Sequence, residues 1–180
     1  MDEVNPVYRR RFAVGAVTAM MVWALETRST AQPLMRNPEK NPGADAMTTL
    51  TNYLLFDGDC KQAMEFYQAC LGGDLMQLKV GDSPAKEFMP AYQHQKTLNA
   101  RLKGGHIDIS ASDWLMPDRK RIPGNAVCLY LTAGTPEELR VLFERLSEGA
   151  DVTDPLKQMF FGTYGALNDK FGIRWMFHCT

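Results

Sequence analysis

Charge of a single sign is missing from this chain. Twenty basic and 21 acidic side chains leave a formal net charge of −1, which gives no sustained field to draw nucleic acid or an anionic membrane. The one basic run, Arg9-Arg10-Arg11, lies outside the region that reads as folded. Paired cysteines are missing too. None of Cys60, Cys70, Cys128 and Cys179 forms a C-x-x-C, so zinc-ribbon and thioredoxin-type sites lack their defining spacing. No glycine-rich loop follows a strand to cradle a nucleotide cofactor. No Ser-His-Asp or paired-carboxylate arrangement emerges from spacing, and the uncharged run at residues 12–25 is too short to span a bilayer comfortably.

What is present reads as an ordinary soluble globular protein. The chain has 180 residues, 45% hydrophobic and 23% charged, enough for one domain or two small modules sharing a core. Cys60 and Cys70 are expected on one helix, roughly 15 Å apart by its rise. They cannot bridge without unwinding it. Small buried hydrophobes in a reducing compartment is the favoured reading of the cysteines, which places the folded domain in the cytoplasm.

Residues 1–46 form an N-terminal extension with two readings. Three arginines, the apolar run and the small residues Ser29-Thr30-Ala31 resemble a secretory signal, so residues 1–31 would direct export. Residues 32–46, with Pro33, Pro38, Pro42 and Gly43, look like linker, and Met47 opens a self-sufficient domain. A start assigned too far upstream would leave the same pattern.

The rest, residues 47–180, repeats itself at an offset of 76. Thr51 to Phe56 is a strand candidate and Gly58 breaks it. Asp59 stands at a helix N-cap with Gln62 three residues on, a variant capping box. Ala63, Phe66, Tyr67 and Cys70 follow at i, i+3, i+4, i+7, and Gly72-Gly73 stops the helix. In the second copy Val127 to Leu131 is the strand, Gly134 matches Gly58, and Thr135 with Glu138 matches the cap and box. Leu139, Leu142, Phe143 and Leu146 form the stripe. Further strands are expected at Asp74–Val80, Thr97–Leu102 and His106–Ala111, then at Asp151–Thr153, Phe160–Leu167 and Ile173–His178. The fold class is α+β: two βαβββ modules, 49–112 and 125–178, joined by a Pro/Gly-containing loop at Trp114–Asn125. Their paired curved sheets are expected to form a cup, because one helix covers only one face of a four-stranded sheet.

Paired βαβββ modules resemble the vicinal-oxygen-chelate superfamily of glyoxalases, extradiol dioxygenases and bleomycin-resistance proteins. Tyr53-Leu54-Leu55-Phe56-Asp57-Gly58-Asp59-Cys60, with Ala63, Phe66-Tyr67 and Leu71-Gly72-Gly73, is similar to the opening of its PhnB-like branch. Phe160-Phe161-Gly162-Thr163-Tyr164-Gly165 and Asp169-Lys170-Phe171-Gly172-Ile173-Arg174-Trp175 resemble that branch's closing signature. The likeness spans residues 49–178. Some members carry a demethylubiquinone-methyltransferase label, for which this sequence offers no cofactor loop.

The resemblance implies where a divalent ion would sit in metal-dependent relatives. Those positions hold Asn52 or its neighbour, Asn99, Ala126 or Cys128, and Met176. Neutral amides and a thioether are poor ligands for the hard ions used in oxygen chelation. No metal residues and no cofactor are therefore assigned, a divalent ion being disfavoured. His94 and His106 read as loop and turn residues, and His178 faces either cup or solvent. Cys128 reads as inert core more readily than as nucleophile. His106, Asp108 and Ser110 alternate along one strand, as either a pocket wall or an exposed face. The ligand-binding set is Asn52, Phe56, Asn99, Cys128, Tyr164 and Trp175. The last two are the aromatics that the resemblance brings nearest a ligand.

The expected function is small-molecule binding without the usual metal triad, by a homodimer as relatives commonly form, with no nucleic-acid partner and no membrane partner for the folded domain. Two rivals stand beside it. One is a metal-dependent lyase, isomerase or dioxygenase of the same superfamily. The other is a protein-interaction module whose cup has filled with side chains.

Overall fold

The computed structural model describes residues 50–180. The extension at 1–46, with its signal-peptide and upstream-start readings, lies outside the described residues. β1 (Asn52–Phe56), α1 (Cys60–Leu71), β2 (Asp74–Lys79), β3 (Thr97–Gly104) and β4 (Ile107–Asp113) make the first module. β5 (Leu129–Thr132), α2 (Pro136–Leu146), β6 (Asp151–Met159), β7 (Gly162–Asn168) and β8 (Arg174–Cys179) make the second. The sheets are ordered β1-β4-β3-β2 and β5-β8-β7-β6. In each, the first strand runs parallel to the last and the other pairs are antiparallel. This is the α+β pair of βαβββ modules expected from the repeat. α1 opens at Cys60 and α2 at Pro136, which keeps the 76-residue offset.

Several strand boundaries differ from expectation. β6 continues through Pro155 to Met159, because it is an edge strand whose register slips around Asp154; a proline there costs no ladder hydrogen bond on its outer side. Phe160 and Phe161 turn the hairpin instead of opening β7. β5 begins at Leu129, two residues later than expected. Between β2 and β3 the chain makes three short 3-10 turns.

The helix stripes are buried against the sheets. Cys60, Ala63, Met64, Tyr67 and Cys70 of α1 are buried, as are Leu139, Phe143 and Leu146 of α2. They share one core with Phe56, Leu102, Ile109, Trp175 and Phe177 from both sheets. α2 can approach this closely because Gly165 stands opposite Phe143: a Cβ there would lie 3.0 Å from the ring and 2.9 Å from Leu156. The two helices also hold each other, since Arg145 Nη1 of α2 donates to the Cys70 carbonyl at the end of α1, 3.2 Å away.

The helix caps divide. Thr135 Oγ1 accepts from Glu138 N–H at 3.1 Å, and Glu138 accepts from Gly134 N–H at 3.0 Å, so the local box forms at α2. At α1 the expected cap does not form, and Asp59 makes no side-chain cap bond. Its place is taken by Asp113 at the end of β4, which is 3% exposed. The Asp113 carboxylate accepts from Gly58 N–H (2.9 Å), Cys60 N–H (3.0 Å) and Thr97 N–H (2.7 Å). A negative charge beneath a helix N-terminus is favourable in itself.

The same burial acts on Cys60. Loss of water, then the neighbouring Asp113 charge, pushes its thiol from 9.0 up to about 12. The folded-state value lies above the unfolded one, so the proton is held more tightly in the fold. The resulting stability is whole below about pH 9 and is lost as pH rises through about 12. Urea midpoints are expected to fall steeply across that window and to fall less in Cys60→Ala. Parallel curves for the two proteins would contradict this.

Candidate functional site

Strand parity decides which face of its sheet each side chain occupies. In the first sheet Leu54 and Phe56 share a face with Ala100, Leu102, Ile109 and Ala111, the face packed beneath α1. The opposite face carries Tyr53, Leu55, Asn99, Arg101, Asp108 and Ser110. In the second sheet Trp175, Phe177 and Cys179 face the core. Tyr130, Tyr164, Met176 and His178 line the open side.

The six residues of the expected binding set therefore separate. Phe56 (1% exposed) and Trp175 (3%) lie in the core. Trp175 packs edge-on against Tyr67 at 5.5 Å and donates its indole N–H to Asp169. Asn52 is exposed, but its register opposite the buried Ile109 puts it on the helix-side row, away from Asn99. Asn99, Cys128 and Tyr164 keep positions open to a ligand. Cys128 lies beside Met176, Sγ to Sδ 3.2 Å. Tyr164 sits 6.0 Å from Phe161 in an edge-on pair, and Phe161 lies 6.0 Å from His178.

Three of the remaining polar candidates, His94, His178 and Asp108, have partners within the fold. His94 Nε2 contacts the Met89 carbonyl at 3.0 Å, and His178 Nε2 contacts the Phe161 carbonyl at 2.9 Å. Asp108 and Arg101 form a two-pronged pair on the open face (2.8 and 2.6 Å). That contact holds the Asp108 carboxyl below its ordinary value and raises the guanidinium of Arg101.

A surface cleft lies where the first strands of the two modules approach. It measures about 560 Å³, between Tyr53-Leu54-Leu55 of β1 and Val127-Cys128-Leu129 at the entry to β5. Trp114, Lys120, Arg121, Ile122 and Pro123 from the connecting loop close one side, and Gly172, Ile173 and Arg174 close another. The Trp114 ring is fixed by its indole N–H, which donates to the Arg119 carbonyl at 2.6 Å. A smaller depression of about 360 Å³ beside α1 and β2 is lined by Lys61, Glu65, Gln68, Gln77, Lys79 and Asp82. Its charges offset one another and Lys61 already pairs with Glu65, so it offers a ligand little. Of the expected set, only Cys128 lines the larger cleft. Tyr53, Arg121 and Arg174 were missed as lining residues: Tyr53 by parity, the arginines because a loop and a strand end carry no periodic signal.

Of the positions at which the resemblance implied a metal, Asn52 and Asn99 lie on opposite faces of one sheet, Tyr53 beside Asn52 shares the face of Asn99, and Cys128 and Met176 are neighbouring sulfurs. Among the described residues no group of three His, Cys, Asp or Glu is gathered around one point, and no helix is long and apolar enough to cross a membrane.

Residues 49–177 match the family model of the Glyoxalase/Bleomycin resistance protein/Dioxygenase superfamily. The chain is similar to Protein YjdN of Escherichia coli, 27% identical over 71% of this chain and 92% of that protein. Among solved structures it is similar to PA1353 of Pseudomonas aeruginosa, with 34% identity, a TM-score of 0.67, and coverage of 73% of this chain and 97% of that one. A PhnB protein from Bacillus cereus shares the fold at 21% identity and a TM-score of 0.60, over 74% of this chain and all of the other.

Proposed function

Because this chain belongs to the glyoxalase/bleomycin resistance protein/dioxygenase superfamily, we propose that it is a small-molecule-binding protein of the PhnB-like type, which holds its ligand in the cleft between β1 and β5. Members of the superfamily bind small molecules. The observation that carries the reading for this chain is the cleft itself: about 560 Å³, walled by Tyr53, Leu55, Trp114 and Val127, with charged groups only at a few points. Apolar walls with sparse polar anchors are the ordinary composition of a ligand site.

The donor chemistry supports binding without a hard divalent ion. Asn99, Cys128 and Met176 supply a neutral amide and two soft sulfurs, and no imidazole or carboxylate stands at the corresponding positions. The reading includes a homodimer, which would cover exposed side chains such as Met76 (73% exposed) and Tyr130 (58%) on the open sheet faces. It also places the domain in the cytoplasm, in keeping with its four unbridged cysteines.

Thermal denaturation against a broad metabolite panel tests the reading. At least one compound is expected to raise the midpoint with the logarithm of its concentration above Kd, adding about 2.7 kcal/mol at 100 times its Kd. The shift is expected to survive a chelator and to vanish in Cys128→Trp, which fills the cleft. A stoichiometric, tightly held divalent ion whose removal abolishes the shift would establish the metal-dependent enzyme instead. A flat response to the whole panel would leave the filled-cup interaction module.

A further inference from the structure

The cleft departs from the charge balance of the chain around it. Over the whole sequence 20 basic residues face 21 acidic ones. The cleft lining contains Lys120, Arg121 and Arg174 and not one carboxylate. None of the three is in an ion pair among the described residues. Arg174 makes one long contact, 3.5 Å, with Asn168 Oδ1.

Arg121 supplies the second, independent observation. Its Nε is buried and has no hydrogen-bond partner among the described residues. A buried N–H on a permanent cation is costly to leave unpaired, and native structures contain few such groups. No acceptor among the described residues lies within hydrogen-bond reach of that Nε. An acceptor brought by a ligand would meet the need once the side chain shifts to uncover that N–H. The planar fork of a guanidinium suits an oxyanion, which takes two parallel N–H bonds. Tyr53, Trp114, Ile122 and Val127 meanwhile offer apolar surface for the rest of the molecule.

We infer that the cleft selects organic oxyanions, a carboxylate or phosphate group on a flat apolar body, with the anionic end held by Arg121 and supported by Arg174. This rests on the small-molecule reading above and specifies its ligand class. The apolar walls supply affinity, and the uncompensated cations supply preference for the charged form.

Cys128 is a built-in reporter. It lines the cleft and is partly exposed, whereas Cys60, Cys70 and Cys179 are buried. Its rate of reaction with the uncharged reagent 4,4′-dithiodipyridine is to be followed in the full chain, with Cys128→Ser as the blank. The two probes are 1-naphthoate and its neutral isostere 1-naphthamide. Saturable protection by naphthoate is expected at concentrations about tenfold lower than for the amide, equivalent to ~1.4 kcal/mol of preference. Arg121→Gln, in a loop outside every strand and helix, is expected to bring the two probes within about twofold, and Arg174→Gln to narrow the gap less. Equal protection by both probes overturns the oxyanion assignment and leaves small-molecule binding standing. A naphthoate preference that survives both substitutions overturns it as well. If neither probe protects Cys128, the cleft is not the binding site and both readings fall.

Discussion

Asp113→Ala is expected to destabilise the domain by about 3 kcal/mol or more, read as a lower urea midpoint at unchanged slope. The carboxylate of Asp113 receives three backbone N–H groups, from Gly58, Cys60 and Thr97, at 2.7–3.0 Å. Removing it strands the Cys60 and Thr97 donors in a place where water has little access, since Asp113 and Thr97 are 3% exposed and Cys60 is fully buried, and frees the Gly58 donor at the exposed turn. The charge favouring the α1 N-terminus goes with it. Asn restores the shape but replaces one accepting oxygen with a donor, so Asp113→Asn is expected to recover only part of the loss. The informative control is Asp59→Ala. Asp59 occupies the N-cap position, yet its only side-chain bond is a 3.3 Å contact from Asp57 N–H in an exposed turn. Its loss is expected to cost under about 0.5 kcal/mol, as for other surface substitutions. Equal costs at the two positions would put the cap back where local sequence suggests.

That contrast marks the border of what the sequence made legible. The module architecture depends on signals a few residues apart, the apolar stripes of α1 and α2 and the glycines ending α1, repeated at the 76-residue offset between copies. The Thr135–Glu138 box was readable for the same reason, because all its partners lie within four residues. Asp113 is 53 residues from Cys60, and nothing in its immediate surroundings announces a helix cap. The lining of the cleft was hard to read for the same reason at finer scale, because a strand reverses side with every residue. Tyr53 and Leu55 face the cleft and Phe56 does not. Arg174 faces it and Trp175 lies in the core. The 114–125 loop has no period, so the contribution of Arg121 became visible only once its Nε was found buried and unpaired.

Asp169→Ala is expected to be more damaging still, at about 4 kcal/mol or more, because one carboxylate there joins the two modules. Its Oδ1 accepts from Phe171 N–H and Ile173 N–H, both at 2.9 Å, and so shapes the turn between β7 and β8. Its Oδ2 accepts from the Tyr67 hydroxyl of α1 at 2.6 Å and the Trp175 indole at 2.9 Å. Tyr67 is wholly buried. Desolvation, and then the Asp169 charge, push its phenol far above the ordinary range, so it acts only as a donor to the carboxylate. Around this node Phe171 packs against Phe56, Phe66 and Tyr67, and the Lys170 ammonium lies 3.9 Å from the centre of the Phe66 ring. Losing Asp169 therefore leaves four donors unpaired and loosens the only carboxylate that receives side-chain bonds from both modules among the described residues. Tyr67→Phe alone removes one donor and one bond together, and is expected to cost about 1 kcal/mol. Combined with Asp169→Ala it should cost nothing further, or return some stability, because the orphaned hydroxyl is gone. A coupling of about 1–2 kcal/mol in that double-mutant cycle is the expected signature of a shared joint. Strict additivity would mean that the carboxylate stabilises only its own turn, and that packing alone holds α1 against the second module.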